Sequence, residues 1–541
     1  MKVTIIGSGP SGMHFARTAL ERGQAVTLID LGNRGPQPPL KGSAYAALKS
    51  ALPDPVSYFL GDDYNGAELP AAPGAPPSAY YRMPPSKAHV FARPPQFALT
   101  EDGLYPLISF AAGGLAECWT AGAYPFDDTD LADYPFGHTE LAPYYAEVAR
   151  RIGVAGRADD LSGFLPVHGH MSEPIALNDA SASLLTKYER KRHRLNARHE
   201  IRLGRSRQAA LSLALGSRDG CTRCGRCLWG CPNGALYTPA QTLADCLADP
   251  RFTYVPGRYV SHFDLAPDGQ IAAVVSHPAA GGAAERHGAD AFVLASGALN
   301  SSAIHLRTIW HARRETPRLG GLMDNRQVLA PFYNPAMLGR AHNPASYQYH
   351  QLAVGLPAKG RGHYVHGQIT MLTNGSVHPV IQQLPLGLRT SRQVFAALRS
   401  GLGVLNVNFH DTRRAENYVA LDPDRTDATG TPVLKLRYRP TEDEPERIAG
   451  AMTAMRRFFF DLGAPLVPGM ARIRPMGTGV HYAGTLPMSA VAQEHSVNAS
   501  GQSHDHPNLW VVDGAALPFL PAKNLTFTLM ALATRAASKM F

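Results

Sequence analysis

Four of the six cysteines in this 541-residue chain lie within eleven residues, from Cys221 to Cys231. The run reads C-x2-C-x2-C-x3-C-P, with Cys224 and Cys227 as its inner members, which is the ferredoxin-type spacing for thiolate ligation of an iron–sulfur cluster. A zinc site with four thiolate ligands is the competing interpretation. Zinc ribbons, however, usually pair two CxxC knuckles that are a dozen or more residues apart. The spacing therefore favours an iron–sulfur cluster over zinc and over unligated thiols.

The spacing leaves the last ligand of such a cluster open. In two-cluster ferredoxins the fourth cysteine of the run binds the other cluster, whereas this chain has a single run. Either Cys231 completes one 4Fe–4S cluster, or a remote thiol (Cys118 or Cys246) supplies the last bond, or a 3Fe–4S cluster uses three of the four cysteines. We favour a 4Fe–4S cluster held by all four.

A second motif opens the chain. The segment VTIIG is typical of a buried parallel strand, and it is followed by GSGPSG, a helical pattern and a second strand, AVTLID. Gly7 permits a tight turn, Gly9 lets a pyrophosphate approach the backbone, and Gly12 allows close packing of helix on strand. Asp30 lies 23 positions after Gly7, where a carboxylate accepts hydrogen bonds from ribose hydroxyls. This context predicts a dinucleotide site.

Composition limits the remaining possibilities. With 45% hydrophobic and 18% charged residues the chain reads as globular, and its length suits two or three domains. The sequence shows neither a secretory signal nor a run of about 18 apolar residues, so we expect a cytoplasmic protein that reaches a membrane or is exported only through a partner subunit. In a reducing compartment, clustered cysteines favour metal or redox roles. The net charge of +9 is scattered, which indicates a solvated surface and an anionic cofactor rather than nucleic acid.

The rest of the chain alternates between irregular and regular patterns. Residues 32–107 are rich in proline and alanine and predict irregular structure. The segment AFVLASGALNSSAIHL predicts a strand that turns at Gly297 into a helix, and alternating patterns from about 320 to 470 predict an antiparallel sheet with one exposed face. That region carries no ligand motif, and four of its histidines are expected to be surface or core residues: His363, His366, His378 and His410.

Five segments together resemble the glucose-methanol-choline (GMC) family of FAD-dependent oxidoreductases. They are GSGPSG with its acidic partner, GGLAECW, PYYAEVARRIGVAG, ASGALNSSAIHL and the C-terminal HYAGT…HPNLWVVDGAALP…NLTFT. These segments are spread over nearly the whole chain. Within the family, the cysteine-bearing insertion resembles that of the catalytic subunit of bacterial FAD-dependent glucose dehydrogenases, which carry an iron–sulfur cluster.

The resemblance implies a mixed α/β (α+β) fold. It has a discontinuous, Rossmann-like FAD-binding domain and a substrate-binding domain with a mainly antiparallel sheet. The expected FAD-binding domain comprises residues 1–35, 108–130, 215–310 and 471–541, and it includes the iron–sulfur segment 221–236. The expected substrate-binding domain, with its excursions, comprises residues 36–107, 131–214 and 311–470.

The resemblance also assigns site residues. His481 matches the histidine that accepts the hydroxyl proton, and Asn524 matches the second member of the catalytic pair. The alternatives are a structural histidine at a turn and a helix N-cap. Fourteen residues are expected to contact FAD: Gly7, Gly9, Pro10, Ser11, Gly12, Asp30, Gly113, Gly114, Ser296, Gly297, Asp513, Gly514, Leu525 and Thr526.

The chemistry requires such residues. Oxidising CH–OH to a carbonyl removes a hydride from carbon and a proton from oxygen, so a base is needed; histidine has an ordinary pKa of about 6.5. An asparagine amide can donate to the oxygen as negative charge develops on it. We therefore expect a dehydrogenase for a sugar, polyol or related alcohol, with electrons relayed through the cluster to a one-electron acceptor protein or small subunit. The alternatives are an oxygen-using alcohol or sterol oxidase with structural cysteines, and a protein that only relays electrons.

Overall fold

A computed structural model describes residues 1–64, 66–67, 83–358, 364–372, 385–427 and 430–541. These ranges contain ten α-helices: α1 (Pro10–Glu21), α2 (Leu48–Ala51), α3 (Pro55–Leu60), α4 (His138–Ile152), α5 (Asp179–His199), α6 (Pro239–Cys246), α7 (Ala298–Arg313), α8 (Leu388–Leu398), α9 (Glu444–Leu462) and α10 (Thr526–Met540).

The same ranges contain 22 strands, in chain order: β1 (Lys2–Ile6), β2 (Ala25–Ile29), β3 (Leu99–Asp102), β4 (Val154–Ala155), β5 (Met171–Ser172), β6 (Arg202–Arg205), β7 (Phe252–Val255), β8 (Arg258–Leu265), β9 (Ile271–Pro278), β10 (Glu285–His287), β11 (Ala291–Leu294), β12 (Leu319–Gly320), β13 (Gln327–Tyr333), β14 (Leu352–Pro357), β15 (Tyr364–Met371), β16 (Leu402–Asn408), β17 (Asp411–Thr412), β18 (Tyr418–Thr426), β19 (Pro432–Arg437), β20 (Arg472–Ile473), β21 (Leu509–Val511) and β22 (Phe519–Leu520).

A parallel sheet of five strands forms one half of the molecule. Its order is β21-β11-β1-β2-β7, and every pairing is parallel. The β-branched residues of β1 are buried, because helices α1 and α10 cover the sheet through a shared apolar cluster that includes Val3, Phe15 and Ala533. The strands come from distant parts of the sequence. This half is therefore discontinuous along the chain, as the resemblance implies.

A six-stranded antiparallel sheet forms the other half. Its order is β20-β13-β16-β15-β14-β6. Alternate residues such as Ile369 and Leu405 pack against helices α5 and α9 in a second apolar cluster. The residues between them, including Gln368 and Asn406, line an internal cavity. The expectation of one solvent-exposed face is therefore wrong, because helices cover one face and the other faces a cavity.

Four smaller groups of strands complete the fold. A four-stranded sheet has the order β12-β18-β19-β3, a three-stranded antiparallel sheet has the order β10-β9-β8, and β17-β22 and β4-β5 form two pairs. The predicted α/β class, with its parallel and antiparallel sheets, is confirmed. The exact domain boundaries stay a prediction. The region expected to be irregular is partly regular: it contains the short helices α2 and α3, and the strand β3, which pairs in parallel with β19.

Some predictions fall on segments beyond the described ranges. His363, His378 and residues 68–82 of the proline-rich segment lie outside the described residues. His366 is fully buried, and His410 is partly buried. In the described ranges, no helix combines the length and the apolar character needed to cross a bilayer.

Candidate active site

A cavity of about 710 Å³ lies between the two large sheets. Its volume is within the range of about 300–1,000 Å³ that is usual for ligand sites. The wall includes Gly7 and Asp30 from the carboxyl ends of the parallel strands, and Gln368 from the antiparallel sheet. It also includes His481 and Asn524. The fold thus brings the predicted dinucleotide loop and the predicted catalytic pair to one space.

The glycine loop after β1 has two kinds of glycine. Gly7 has a φ of +99°, and a Cβ there would lie 2.7 Å from the Ala295 carbonyl oxygen. Gly9 has an ordinary φ of −65°, and a Cβ there would meet only that same oxygen, at 3.9 Å. Gly7 is therefore required by the turn, whereas Gly9 leaves room above the backbone. Helix α1 begins at this point without a side-chain cap, which suits an anion at its N-terminus.

Asp30 is tied to the same loop. Its carboxylate accepts hydrogen bonds from the Ser8 backbone N–H, at 3.2 Å, and from the Ser8 hydroxyl. The Ser8 oxygen in turn accepts the Gly113 N–H at 3.0 Å, which joins the loop to the segment 113–117. Burial raises the pKa of Asp30 to about 6, against these hydrogen bonds, which lower it.

Twelve of the fourteen residues predicted to contact FAD line the cavity: Gly7, Gly9, Pro10, Ser11, Asp30, Gly114, Ser296, Gly297, Asp513, Gly514, Leu525 and Thr526. Gly12 and Gly113 lie one layer behind the wall. A Cβ on Gly12 would lie 2.0 Å from the Gly7 carbonyl oxygen, and Gly113 supports Ser8. These two glycines shape the loop, since packing leaves no space for a side chain at Gly12.

Asp513 joins two segments of the wall. Its buried carboxylate accepts hydrogen bonds from the Gly297 N–H at 2.9 Å, the Ser301 hydroxyl at 2.5 Å and the Ala515 N–H at 2.9 Å. Burial raises its pKa to about 6. The start of helix α7 is thereby fixed to the segment that follows β21.

His481 is buried on the wall with a defined orientation. Its Nδ1 lies 2.8 Å from Asn325 Oδ1, and its backbone N–H donates to Asp324 at 3.1 Å. The Asn325 amide nitrogen donates to two backbone carbonyls, of Phe409 and Pro521, so the oxygen of that amide faces the ring. Nδ1 must then carry the proton, which leaves a lone pair on Nε2. Burial lowers the pKa of His481 to about 4, so the ring is neutral at pH 7.

Asn524 lies next to this lone pair. Its Oδ1 accepts a hydrogen bond from the Gln368 amide, and its Nδ2 lies 3.4 Å from His481 Nε2. The preceding residue, Lys523, is fully buried and pairs with Asp127 and Asp130. Asn524 therefore presents an N–H donor and His481 presents an acceptor within 3.4 Å of each other. A substrate hydroxyl can contact both.

Three supporting residues were not predicted from the sequence. Asp324 holds the loop before His481 through the N–H groups of Gly477 and His481. Asn325 and Gln368 set the orientation of the predicted catalytic pair. The polar dipeptide Asp324-Asn325, close before β13, is the only local sequence signal for these two residues. For Gln368 the only signal is that it is one of the polar residues that alternate with apolar residues along a strand.

The four cysteines of the run line a second, small cavity, together with Ser346 and Tyr347. Cys118 and Cys246 do not line it. Among the described residues, which include all six cysteines, no three sulfur atoms lie within 4.8 Å of one another. A tetrahedral zinc with bonds of about 2.3 Å needs sulfurs about 3.8 Å apart, so the spacing does not fit zinc.

Backbone N–H groups of the loop approach two of these sulfur atoms. The Arg223 and Leu236 N–H groups donate to the sulfurs of Cys221 and Cys231, at 3.4 and 3.5 Å. Burial raises the pKa of the Cys221 thiol to about 11, so a bound cation is needed to hold the thiolate form.

Only a thin wall separates the two cavities. Cys227 lines the sulfur cavity, while the next residue, Leu228, lines the large one. Likewise Tyr347 lines the sulfur cavity, and Gln348 lines the large one. The Leu228 N–H donates to Gln348 Oε1 at 2.7 Å, which joins the two segments.

Comparisons with known proteins show which family the chain is similar to. The family model described as GMC oxidoreductase matches residues 413–533. The chain is 25% identical to C-glycoside 3-oxidase from Arthrobacter globiformis, over 99% of this chain and 94% of the relative. It is 23% identical to the fructose dehydrogenase large subunit from Gluconobacter japonicus, over 99% and 96%. The crystal structure of pyridoxine 4-oxidase from Mesorbium loti superposes with a TM-score of 0.61 at 17% identity, over 99% and 98%.

The GMC oxidoreductase model and the full-length similarity to these relatives support membership of the chain in the GMC oxidoreductase family. The predicted enzyme class is thereby confirmed: it is an oxidoreductase that acts on CH–OH groups with FAD as its cofactor. The cavity fits that cofactor, because the uncapped start of α1, the room above Gly9 and the Asp30 carboxylate all meet on its wall.

Two glycine variants of this GMC enzyme separate cofactor binding from folding. Gly9→Val is expected to fold with near wild-type thermal stability but to purify without FAD, because its side chain fills the space above the backbone. Gly12→Val is expected to lose soluble expression, because its Cβ would lie 2.0 Å from the Gly7 carbonyl oxygen. Flavin absorbance, released FAD and circular dichroism measure the difference. Full FAD occupancy in Gly9→Val would contradict the assignment of the loop.

Proposed function

We propose that this GMC enzyme is a dehydrogenase that oxidises a CH–OH group of a sugar, polyol or related alcohol to a carbonyl. The observation that carries the proposal is the pair of groups on the cavity wall. His481 Nε2 offers a lone pair, and Asn524 Nδ2 offers an N–H, 3.4 Å away. One hydroxyl oxygen can donate to the first and accept from the second.

The residues divide the chemistry between them. Bound FAD supplies the acceptor for the hydride that leaves the carbon. His481 Nε2 takes the hydroxyl proton, and the Asn524 amide stabilises the negative charge that develops on the oxygen. The Asn325 carbonyl keeps the proton on Nδ1, so that Nε2 stays available as the base.

The polar face of the antiparallel sheet supports a polyhydroxylated substrate. Gln327, Gln368, Thr370 and Asn406 line the cavity from three neighbouring strands. Asn406 Oδ1 and the Nε2 of His350, another residue of the wall, are buried without a hydrogen-bond partner among the described residues. Such groups favour a ligand that supplies several hydroxyls. Two relatives are named for sugar substrates, a C-glycoside and fructose.

We also propose that Cys221, Cys224, Cys227 and Cys231 hold an iron–sulfur cluster, with 4Fe–4S favoured over 3Fe–4S. Ferredoxin spacing, sulfurs too far apart for one zinc ion and two N–H···S hydrogen bonds support this proposal. The thin wall at Cys227 and Leu228 supports a relay from the cofactor cavity to an external one-electron acceptor, which is a protein or a small subunit.

A second candidate is an oxidase that passes electrons to dioxygen. Several relatives are named as oxidases, among them C-glycoside 3-oxidase and pyridoxine 4-oxidase. In this case the cysteine loop has a structural role only.

One experiment tests the proposal against this alternative. Protein purified without oxygen is titrated with a panel of sugars and polyols while its absorption and EPR spectra are recorded, and peroxide is measured in air. The proposal expects bound iron and sulfide, flavin bleaching by at least one substrate, and turnover with a one-electron acceptor that exceeds peroxide formation. Protein without iron that forms peroxide in step with substrate oxidation would support the oxidase instead.

A further inference from the structure

Three ligand-type side chains meet on the side of helix α7 away from the catalytic cavity. His305 lies on α7, and His495 and Asp505 lie in the loop before β21. None of the three lines the cavity described above. Among the described residues, they form the one group of three histidine, cysteine or acidic side chains whose ligand atoms all lie within 4.8 Å of one another.

The three ligand atoms are spaced as the corners of a metal site. His305 Nε2 lies 3.1 Å from His495 Nδ1, and Asp505 Oδ2 lies 3.9 and 3.6 Å from these two nitrogens. A triangle with these sides has a centre about 2.1 Å from each corner. Zinc bonds to histidine nitrogen and to carboxylate oxygen measure about 2.0–2.2 Å. We propose that His305, His495 and Asp505 bind a divalent metal ion of the zinc class.

The donor types agree with such an ion. Two imidazoles and one carboxylate are the ligands of many zinc sites, whereas calcium and magnesium prefer oxygen ligands. His305 is only 3% exposed, so its ring is held inside the fold. His495 and Asp505 are 26% and 21% exposed, which leaves one side open for water as a fourth ligand.

The loop is arranged before any ion binds. The His495 N–H donates to Asp505 Oδ2 at 2.9 Å, which holds that oxygen in place. Between the two ligands, Val497 and Ser503 pair as an antiparallel bridge, and Ser496 bonds to His504 at 2.8 Å. His495 itself has a φ of +57°, in the left-handed region that non-glycine residues rarely adopt. These contacts fix two ligands at the base of one loop.

A metal here would join the loop to α7. The loop continues through β21 to Asp513, and α7 begins at the turn whose Gly297 N–H donates to that same carboxylate. The ion would therefore form a second link between α7 and the segment that runs from this loop to Asp513. The first link is the hydrogen bond between Gly297 and Asp513 on the cavity wall. We expect it to stabilise the fold rather than to take part in catalysis, since none of its three ligands lines the cavity.

The test counts zinc on the FAD-loaded, tag-free protein. Wild type and the variants His495→Ala and Asp505→Asn are treated with a chelator, dialysed against zinc chloride and analysed by mass spectrometry for metals. The wild type is expected to hold one zinc per chain more than either variant. Zinc at 100 times its Kd is expected to raise the folded-to-unfolded ratio of the wild type about 100-fold, seen as a higher Tm, with a much smaller shift in the variants.

The control is His311→Ala, which removes an exposed histidine of helix α7 that is neither a ligand nor part of the loop. It is expected to keep the wild-type zinc content. Zinc bound at the cysteine run counts equally in all four proteins, so the difference reports this site alone. Equal zinc content in wild type, His495→Ala and Asp505→Asn would overturn the proposal, and so would a wild type that binds none. In either case the three side chains form only a hydrogen-bonded cluster.

Discussion

Replacing His481 with alanine is expected to leave a folded, FAD-containing enzyme whose flavin is reduced by substrate at least about 10²-fold more slowly. The ring is the base in the proposed reaction, and its Nε2 is the acceptor that faces Asn524. Alanine removes that acceptor without changing the glycine loop or Asp30, which hold the other end of the cofactor site. Anaerobic stopped-flow measurement of flavin bleaching gives the rate directly. His481→Gln should be equally slow, since an amide fills the space without acting as a base.

The matched control removes a histidine elsewhere. His311 is exposed on helix α7 and does not line the cavity, so His311→Ala is expected to keep the wild-type rate. A His481→Ala variant that bleaches as fast as wild type would remove this residue from the mechanism.

The pH dependence of the same step gives a second readout. Burial lowers the pKa of His481 to about 4, below its ordinary value of 6.5, so the neutral base persists as pH falls through 6.5. The rate of flavin reduction should therefore stay level there and decline only as pH approaches about 4. A pH jump immediately before mixing measures it while the protein is still folded. A decline centred at pH 6.5 would show that the ring is not desolvated as described.

Local sequence patterns predicted those parts of the site that are formed by one short stretch of the chain. Gly7, Gly9 and Asp30 belong to one strand-turn-helix-strand unit, and the geometry of that unit is set by its own residues. The cysteine run was recognised for the same reason, because its four thiols are brought together by one short loop. Both motifs line cavities in the structure.

Contacts between distant segments could not be predicted in this way. Asn325 and His481 are 156 positions apart, and Gln368 and Asn524 are also 156 apart. His481 itself was assigned only through the family resemblance, since one histidine among 22 has no local signature. His305 and His495 are 190 positions apart, and the position that brings them together is set by the packing of α7 against the last loop. Such pairs become visible only when the sheets and helices are assembled.

Replacing Cys224 with serine is expected to remove the cluster while leaving the reaction at the flavin intact. A serine hydroxyl is a poorer ligand than a thiolate for iron in a sulfur-rich site, so bound iron should fall from about four atoms per chain towards none. The loop should persist, because the Cys224 carbonyl accepts the Tyr45 N–H at 2.9 Å and the Arg223 carbonyl accepts the Ser346 N–H at 2.9 Å. Neither hydrogen bond uses a thiol.

The consequences for catalysis separate a relay from a structural cluster. His481, Asn524 and the glycine loop belong to other segments, so substrate should bleach the flavin of Cys224→Ser at the wild-type rate. Turnover with a one-electron acceptor should fall to a small fraction, because the path through the wall at Cys227 and Leu228 has lost its carrier. Cys246→Ser is the control, since this buried thiol on α6 does not line the sulfur cavity. A structural cluster predicts instead that FAD, solubility and bleaching are lost together, and equal acceptor turnover with and without iron would exclude the relay.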